Sequence, residues 1–165
     1  MALEIERKFL VTDESWRAVS TKSVNMRQAY FATTEKASIR IRISDNRAFI
    51  NLKSTHSLAE REEFEYEVPT EDGLIMLTSL CDKEQVVKTR HYLDYGCETW
   101  VVDEFLELNQ GLLVAEIELK NRTQIIEKPP WVGAEVTQIP RFYNHFLARH
   151  PYASWSEAER SIKPG

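Results

Sequence analysis

From residue 38 the chain reads Ser38-Ile39-Arg40-Ile41-Arg42-Ile43, polar and apolar in strict alternation. A period of two is that of a β-strand, whose successive side chains point to opposite faces. One face therefore carries Ile39, Ile41 and Ile43, and the other Ser38, Arg40 and Arg42. Two arginines two residues apart on one face repel each other, which costs stability unless an anion is meant to lie between them.

The same alternation recurs on both sides of this stretch. Downstream, residues 47–53 set Lys53 opposite Ile50 and Leu52, and residues 62–68 set Glu63, Glu65 and Glu67 opposite Phe64, Tyr66 and Val68. Residues 85–93 contribute Lys88 and Arg90, residues 99–106 contribute Asp103, and residues 112–120 set Glu116 and Glu118 opposite Ala115, Ile117 and Leu119. Upstream lie 25–31 and 3–9, the latter with Leu3, Ile5 and Phe9 opposite Glu4, Glu6 and Lys8. These runs predict about eight mostly antiparallel strands, enough to close a barrel and abolish its edges. The fold class is mainly β with flanking helices (α+β). Helical patterns fall at 13–19, 71–80 and 140–149, where Pro140 suits a first turn, and Ser154 with Glu157 fits a capping box for a last short helix through Ile162. Lys128-Pro129-Pro130-Trp131 reads as an ordered turn, because proline neither continues a helix nor pairs in a central strand.

A charged strand face ordinarily meets water. Here, however, Arg and Lys gather on some strands and Glu on others, whereas solubility favours interspersed signs. A barrel whose charged faces point inward stands beside the solvated sheet as a second arrangement. Its lumen would be a polyanion channel in which Lys8, Arg40, Arg42, Lys53, Lys88 and Arg90 engage phosphoryl oxygens. The carboxylates at 4, 6, 116 and 118 would suit Mg²⁺ or Mn²⁺, which prefer oxygen ligands.

The 165 residues, 42% hydrophobic and 28% charged, suit one domain over 1–165 rather than a disordered chain. A formal charge of −5 disfavours wrapping nucleic acid or lying on anionic lipid, so any anion site is local. No secretory or membrane-spanning segment is predicted, and Cys81 and Cys97 lack metal-type spacing, so a reduced cytoplasmic protein is expected. The glycines stand singly at 73, 96, 111, 133 and 165, which excludes P-loop and Rossmann phosphate cradles. His56, His91, His145 and His150 form no closely spaced set and read as surface or hydrogen-bonded structural residues. The apolar parity with Trp100, Trp131 and Trp155 needs a cover, for which a homodimer is one solution.

Glu4-Ile5-Glu6-Arg7-Lys8 is an ExExK sequence, and it is followed in order by Arg40-Ile41-Arg42, Lys53, Glu63-Phe64-Glu65, Lys88-Thr89-Arg90, Asp103 and Glu116-Ile117-Glu118. In this series the chain resembles the CYTH domain of the triphosphate tunnel metalloenzyme superfamily. Gly133-Ala134-Glu135-Val136-Thr137 and Arg141-Phe142-Tyr143-Asn144 are similar to a segment of its short bacterial members, which include enzymes acting on inorganic triphosphate. The resemblance implies an eight-stranded antiparallel tunnel that binds a linear triphosphate with divalent metal, Mg²⁺ or Mn²⁺. It implies metal binding by Glu4, Glu6, Glu116 and Glu118, and phosphate binding by Lys8, Arg40, Arg42, Lys53 and Arg90, with Arg141 at a mouth or lid. Asp103, Glu63 and Glu65 would ligate metal or orient the basic residues. Lys88 is the expected general base, assisted by Tyr30, since a lysine crowded by cations and partly desolvated is neutral part of the time.

The expected reaction is metal-dependent hydrolysis of a small-molecule triphosphate, foremost inorganic triphosphate. Class IV-type adenylyl cyclase and thiamine triphosphatase activities share the same charged residues and stand as alternatives. A non-catalytic polyphosphate or nucleotide binding module stands further off, because a pure binder has no need of the full carboxylate set.

Overall fold

The computed structural model describes residues 2–55 and 57–162, so His56 and Gly165 lie outside the described residues. The eight alternating runs all form strands: β1 (Ala2–Val11), β2 (Ser20–Thr33), β3 (Ala37–Ser44), β4 (Arg47–Ser54), β5 (Glu60–Val68), β6 (Gln85–Tyr95), β7 (Glu98–Phe105) and β8 (Leu113–Glu118). All neighbours are antiparallel, in the order β5-β4-β3-β2-β6-β7-β8-β1, and β1 pairs with β5 to close the barrel. A ninth strand, β9 (Val132–Glu135), joins β1 beside the seam. One edge of β1 is thus divided: residues 2–5 pair with β5, and Phe9 and Val11 with β9. Closure satisfies the backbone groups that an open edge would leave bare.

The faces sort as their chemistry requires. Outward residues of β1, β6, β7 and β8, among them Phe9, Leu93, Trp100, Val102 and Ile117, form a buried cluster with Trp16 and Trp131. Trp16 comes from a 3-10 turn at Ser15–Val19, where the weak helical pattern at 13–19 had pointed, and Trp131 from the double-proline turn. On the opposite wall α1 (Thr70–Ser79) lies over the outer face of β3 and β4, burying Leu77 with Ile41 and Ala29. Contact there is so close that a Cβ on Gly73 would run into Cβ of Ala48. Trp100, Trp131 and Trp155 are all buried within the one chain. The cover they need is therefore intramolecular.

The helical segment expected over 140–149 is broken. A 3-10 turn at Pro140–Phe142 ends at Tyr143, whose extended backbone (ψ 142°) precedes α2 (Asn144–Arg149). The Tyr143 hydroxyl lies 2.9 Å from both the Leu58 and Thr137 carbonyl oxygens, and this tether turns the chain into the barrel end. Ser154 closes a 3-10 turn by donating to the Pro151 carbonyl (2.7 Å), so the capping box falls two residues later than expected. Ser156 and Glu159 form it, at the start of α3 (Glu157–Arg160), which stops short of Ile162. Inward residues at this end turn apolar: Tyr30, Val86, Phe105 and Val114 pack with Phe142, Leu147 and Trp155. The end is thus plugged on the β6–β8 side. No helix among the described residues is long and apolar enough to cross a membrane.

Candidate active site

The charged parities all face inward. They line a cavity of about 150 Å³ inside the barrel, where Lys8, Arg40, Arg42, Lys53, Arg61, Lys88 and Arg90 meet Glu4, Glu6, Glu63, Glu65 and Glu116. Seven cations against five carboxylates, with Asp103 behind Lys88 and Arg90 as a sixth, leave the lumen net positive in a chain whose formal charge is −5. All seven cations come from strands whose alternation throws every second side chain into the lumen, and antiparallel register sets Lys8 across from Glu116, Lys53 from Glu63 and Arg90 from Asp103.

Most of these charges are paired in a lattice. Lys8 donates to Glu116 and lies 3.4 Å from Glu6; Arg61 donates to Glu6. Lys53 bridges Glu4 (2.6 Å) and Glu63 (3.1 Å), and Arg42 reaches Glu65 at 2.9 Å. Asn51, wholly buried, donates to both Glu63 and Glu65 and keeps those two carboxylates in place. Burial opposes charge at Glu116, but Lys8, Arg90 and Lys88 overcome it and hold the carboxyl well below its usual range. Burial likewise opposes the charge of Lys8, yet Glu116 and Glu6 raise its pKa. Arg42 moves the other way, lowered by burial and then by its like-charged neighbour Arg40.

Arg40 is the exception in the lattice. It is 9% exposed, has no carboxylate within ion-pair distance among the described residues, and bonds the Gln28 side-chain oxygen at 3.3 Å beside the Tyr30 hydroxyl. Its Nε is buried without a partner, as is that of Arg42. A buried guanidinium without a counter-ion is costly unless an anion arrives to complete it.

Lys88 is buried between β2 and β7, donates to Asp103, and lies over the Phe105 ring at 5.5 Å. Burial pushes its pKa down to about 8, with Arg90 acting in the same direction against Asp103 and Glu116. Asp103 is fully enclosed and accepts two 2.7 Å bonds from Arg90 besides the Lys88 contact. Its oxygens are committed to orienting those two cations. Tyr30 lines the cavity and accepts a 3.1 Å bond from Gln28, with its pKa raised by burial. Strand register places Lys88 across from Met26, and Tyr30 four residues farther along β2, roughly 13 Å at the rise of a strand. The two therefore sit at different levels of the tunnel. Arg141 lies over the Phe142 and Trp155 rings (5.3 and 5.5 Å), among the aromatic groups of the plug, and does not line the cavity.

At the other end, Glu4, Glu6, Glu116 and Glu118 line a wider opening of about 630 Å³. Glu6 and Glu118 are direct cross-strand neighbours, a like-charge pairing that destabilises a bare sheet. The Glu118 pKa is raised by burial and then by Glu4 and Glu63, the mark of negative charge in excess of local cations. Among the described residues no three acidic, His or Cys side chains form a ready-made metal cluster, and Lys or Arg side chains hold Glu4, Glu6 and Glu116. The donor set nevertheless fits a hard divalent cation: all oxygen, carboxylate-rich and beside the phosphate-binding cations.

Several lining residues escaped the sequence reading as site members, Arg61, Asn51, Tyr143 and His145 among them. Arg61 has the parity of Glu63 and Glu65 but falls one position before the expected strand. Asn51 shares the parity of Lys53 and is uncharged, so nothing in the alternation singled it out. Tyr143 and His145 arrive from a helical segment that no strand pattern aims at the lumen. Of the other histidines, His91 meets Glu104 (3.2 Å) and His150 meets Glu159 (2.8 Å) near the surface, as expected.

Residues 2–143 match the CYTH domain. An inorganic triphosphatase of Acetivibrio thermocellus is 37% identical over 157 residues, covering 95% of this chain and 100% of that protein. One of Nitrosomonas europaea is 33% identical over 150 residues, covering 88% and 96%. The solved structure of an inorganic triphosphatase superposes with a TM-score of 0.65 at 28% identity, over 90% of this chain and 95% of that one. A match that runs from β1 through Tyr143, with relatives this similar over nearly their full length, leaves no other placement: the chain belongs to the CYTH domain family.

Proposed function

We propose that the chain is a metal-dependent triphosphatase that hydrolyses inorganic triphosphate to pyrophosphate and orthophosphate inside the barrel. The observation that carries this reading is Arg40, a buried guanidinium with a vacant donor in a cation-rich cavity. A linear polyanion completes its coordination and relieves the repulsion with Arg42. Curated relatives over nearly the whole chain are inorganic triphosphatases, hydrolases of the same bond.

In this mechanism Arg40, Arg42, Lys53, Arg61, Lys8 and Arg90 hold the phosphoryl oxygens and spread the charge that develops as the chain breaks. Glu4, Glu6, Glu116 and Glu118 would hold Mg²⁺ or Mn²⁺, whose chemistry there is Lewis-acid neutralisation of phosphoryl oxygens. Lys88 takes the proton of the attacking water, whose oxygen forms a new bond to a terminal phosphorus while the bridging P–O bond breaks and pyrophosphate departs. Asp103 keeps the Lys88 amine aimed and Arg90 at its side. Glu63, Glu65 and Asn51 fix the orientation of Lys53 and Arg42. In the same reading the chain acts as a single domain in the cytoplasm on a small molecule, without nucleic acid or membrane.

The test is a side-by-side assay of inorganic triphosphate, ATP and thiamine triphosphate with Mg²⁺ and with Mn²⁺, scoring orthophosphate, pyrophosphate and cyclic AMP. Orthophosphate released chiefly from inorganic triphosphate is the expected result. Cyclic AMP with pyrophosphate would replace the reading by a cyclase, preferred turnover of thiamine triphosphate by a thiamine triphosphatase, and tight binding without turnover by a sensor.

A further inference from the structure

Beneath α2, at the plugged end of the barrel, lies a second cavity of about 350 Å³. Ser38, Arg61 and His145 line both this cavity and the tunnel, and so form the boundary the two share. Beyond these three the wall carries Thr33, Glu35 and Arg149. The hydrolytic step uses none of those three.

Several of these groups have nothing to bind within the protein. Among the described residues, the hydroxyls of Ser38 and Thr33, the ring nitrogens of His145 and the guanidinium of Arg149 make no hydrogen bond or ion pair. Ser38 and Arg61 are each more than nine-tenths buried. Burial, and then Arg61, Arg149, Arg40 and Lys8, push the His145 pKa down to about 4. The ring is therefore neutral and offers one donor and one acceptor. Hydroxyls, a neutral ring and two guanidiniums, Arg149 unpaired and Arg61 shared with Glu6, with Glu35 as the one carboxylate lining the cavity, make a site for a small oxyanion.

Position decides which oxyanion. At the opposite end Glu4, Glu6, Glu98, Glu116 and Glu118 line the opening against Arg90 and Lys120, and the excess of carboxylate disfavours any phosphate that is not accompanied by metal. The cavity beneath α2 carries Arg61 and Arg149 against Glu35 alone, so of the two ends it is the one less repulsive to a phosphate set free in the tunnel. We propose that the cavity beneath α2 is an orthophosphate site, through which the smaller product of hydrolysis leaves the tunnel. This rests on the triphosphatase reading for the origin of the phosphate, and on the cavity alone for its binding.

The experiment titrates orthophosphate into the full chain already saturated with inorganic triphosphate, with EDTA present so that no turnover occurs, and follows binding by calorimetry. One orthophosphate per chain is expected to bind beside the triphosphate, and Arg149→Gln and Thr33→Val are each expected to weaken it by about tenfold, with triphosphate affinity unchanged. Loss of all orthophosphate binding on saturation with triphosphate would show one shared anion site and overturn the proposal. Wild-type orthophosphate affinity in both variants would overturn it as well. If the chain failed to hydrolyse triphosphate with metal, the titration would still report on the cavity, so the two failures are separable.

Discussion

Arg40 and Lys88 are both buried cations, and their surroundings set them opposite tasks. Arg40 has no carboxylate within ion-pair distance among the described residues and waits for an anion; Lys88 is oriented by Asp103 and held partly neutral by burial. Arg40→Met removes an uncompensated buried charge and keeps an unbranched side chain. It is expected to melt no lower than the parent, since apolar replacement of buried charge is often neutral or stabilising. Triphosphate affinity should fall by about 1.5–3 kcal/mol, the scale of a charged hydrogen bond, readable by calorimetry in EDTA. A variant that binds triphosphate as the parent does would place the anion elsewhere. For Lys88 the sign is fixed by the direction of its shift. Its amine gains the neutral form as pH rises through about 8, so kcat/KM should climb with pH to that point and then level. Lys88→Arg keeps the positive charge at all pH values, so it should lose this limb and about 10²–10⁴ in rate. Near-parental rates in the arginine variant would reduce Lys88 to a phosphate ligand. The same shift makes the unfolded chain bind more protons than the folded one between about 8 and the ordinary lysine value of 10.5. Stability therefore rises with pH in that window.

The strands were legible because each is two-faced, and a one-residue error in register would have put Arg40 and Arg42 in the outer core. Arg61 shows how narrow that margin is: it continues the inward parity of Glu63, and only the choice of strand start hid it. What alternation could not convey was the path of segments without a period. β9 is four residues long, contains Gly133, and follows two prolines, so it has no pattern of its own and exists because β1 has an edge to fill. The break at Tyr143 was equally hidden, since it depends on carbonyls of Leu58 and Thr137 that are distant in sequence. His145 reaches the tunnel only because of that break. At this scale α1 offers a clean test. Gly73 packs against Ala48 with no room for a methyl group, on the outer wall away from the lumen. Gly73→Ala should cost about 1–3 kcal/mol in urea unfolding through overpacking, while activity per folded molecule stays at the parental level. An unchanged midpoint would mean that α1 shifts freely on the barrel.

As a whole, the barrel stores its binding groups as ion pairs with one another. In the free protein Lys8 and Arg90 neutralise Glu116, Lys53 neutralises Glu4, and Arg61 neutralises Glu6. A triphosphate alone must draw these cations from their carboxylates and leave buried negative charge behind. A divalent cation alone must take the carboxylates from Lys and Arg and leave buried positive charge. When both arrive, each uses what the other releases, so the two ligands should bind with positive coupling. Coupling of this kind is typically about 1–3 kcal/mol and is reciprocal by linkage. The measurement is the rise in melting temperature with Mg²⁺, with a non-hydrolysable imidotriphosphate, and with both, after correction for metal–polyphosphate association in free solution. Ligands that act independently would give additive stabilisation. A combined shift well beyond the sum is expected here, and Glu118→Gln should shrink it, because Glu118 is the carboxylate whose pKa is raised, by burial and then by its acidic neighbours. An additive result would mean that metal and phosphate do not draw on a shared set of ion pairs, and the carboxylates would then serve only to position Lys and Arg.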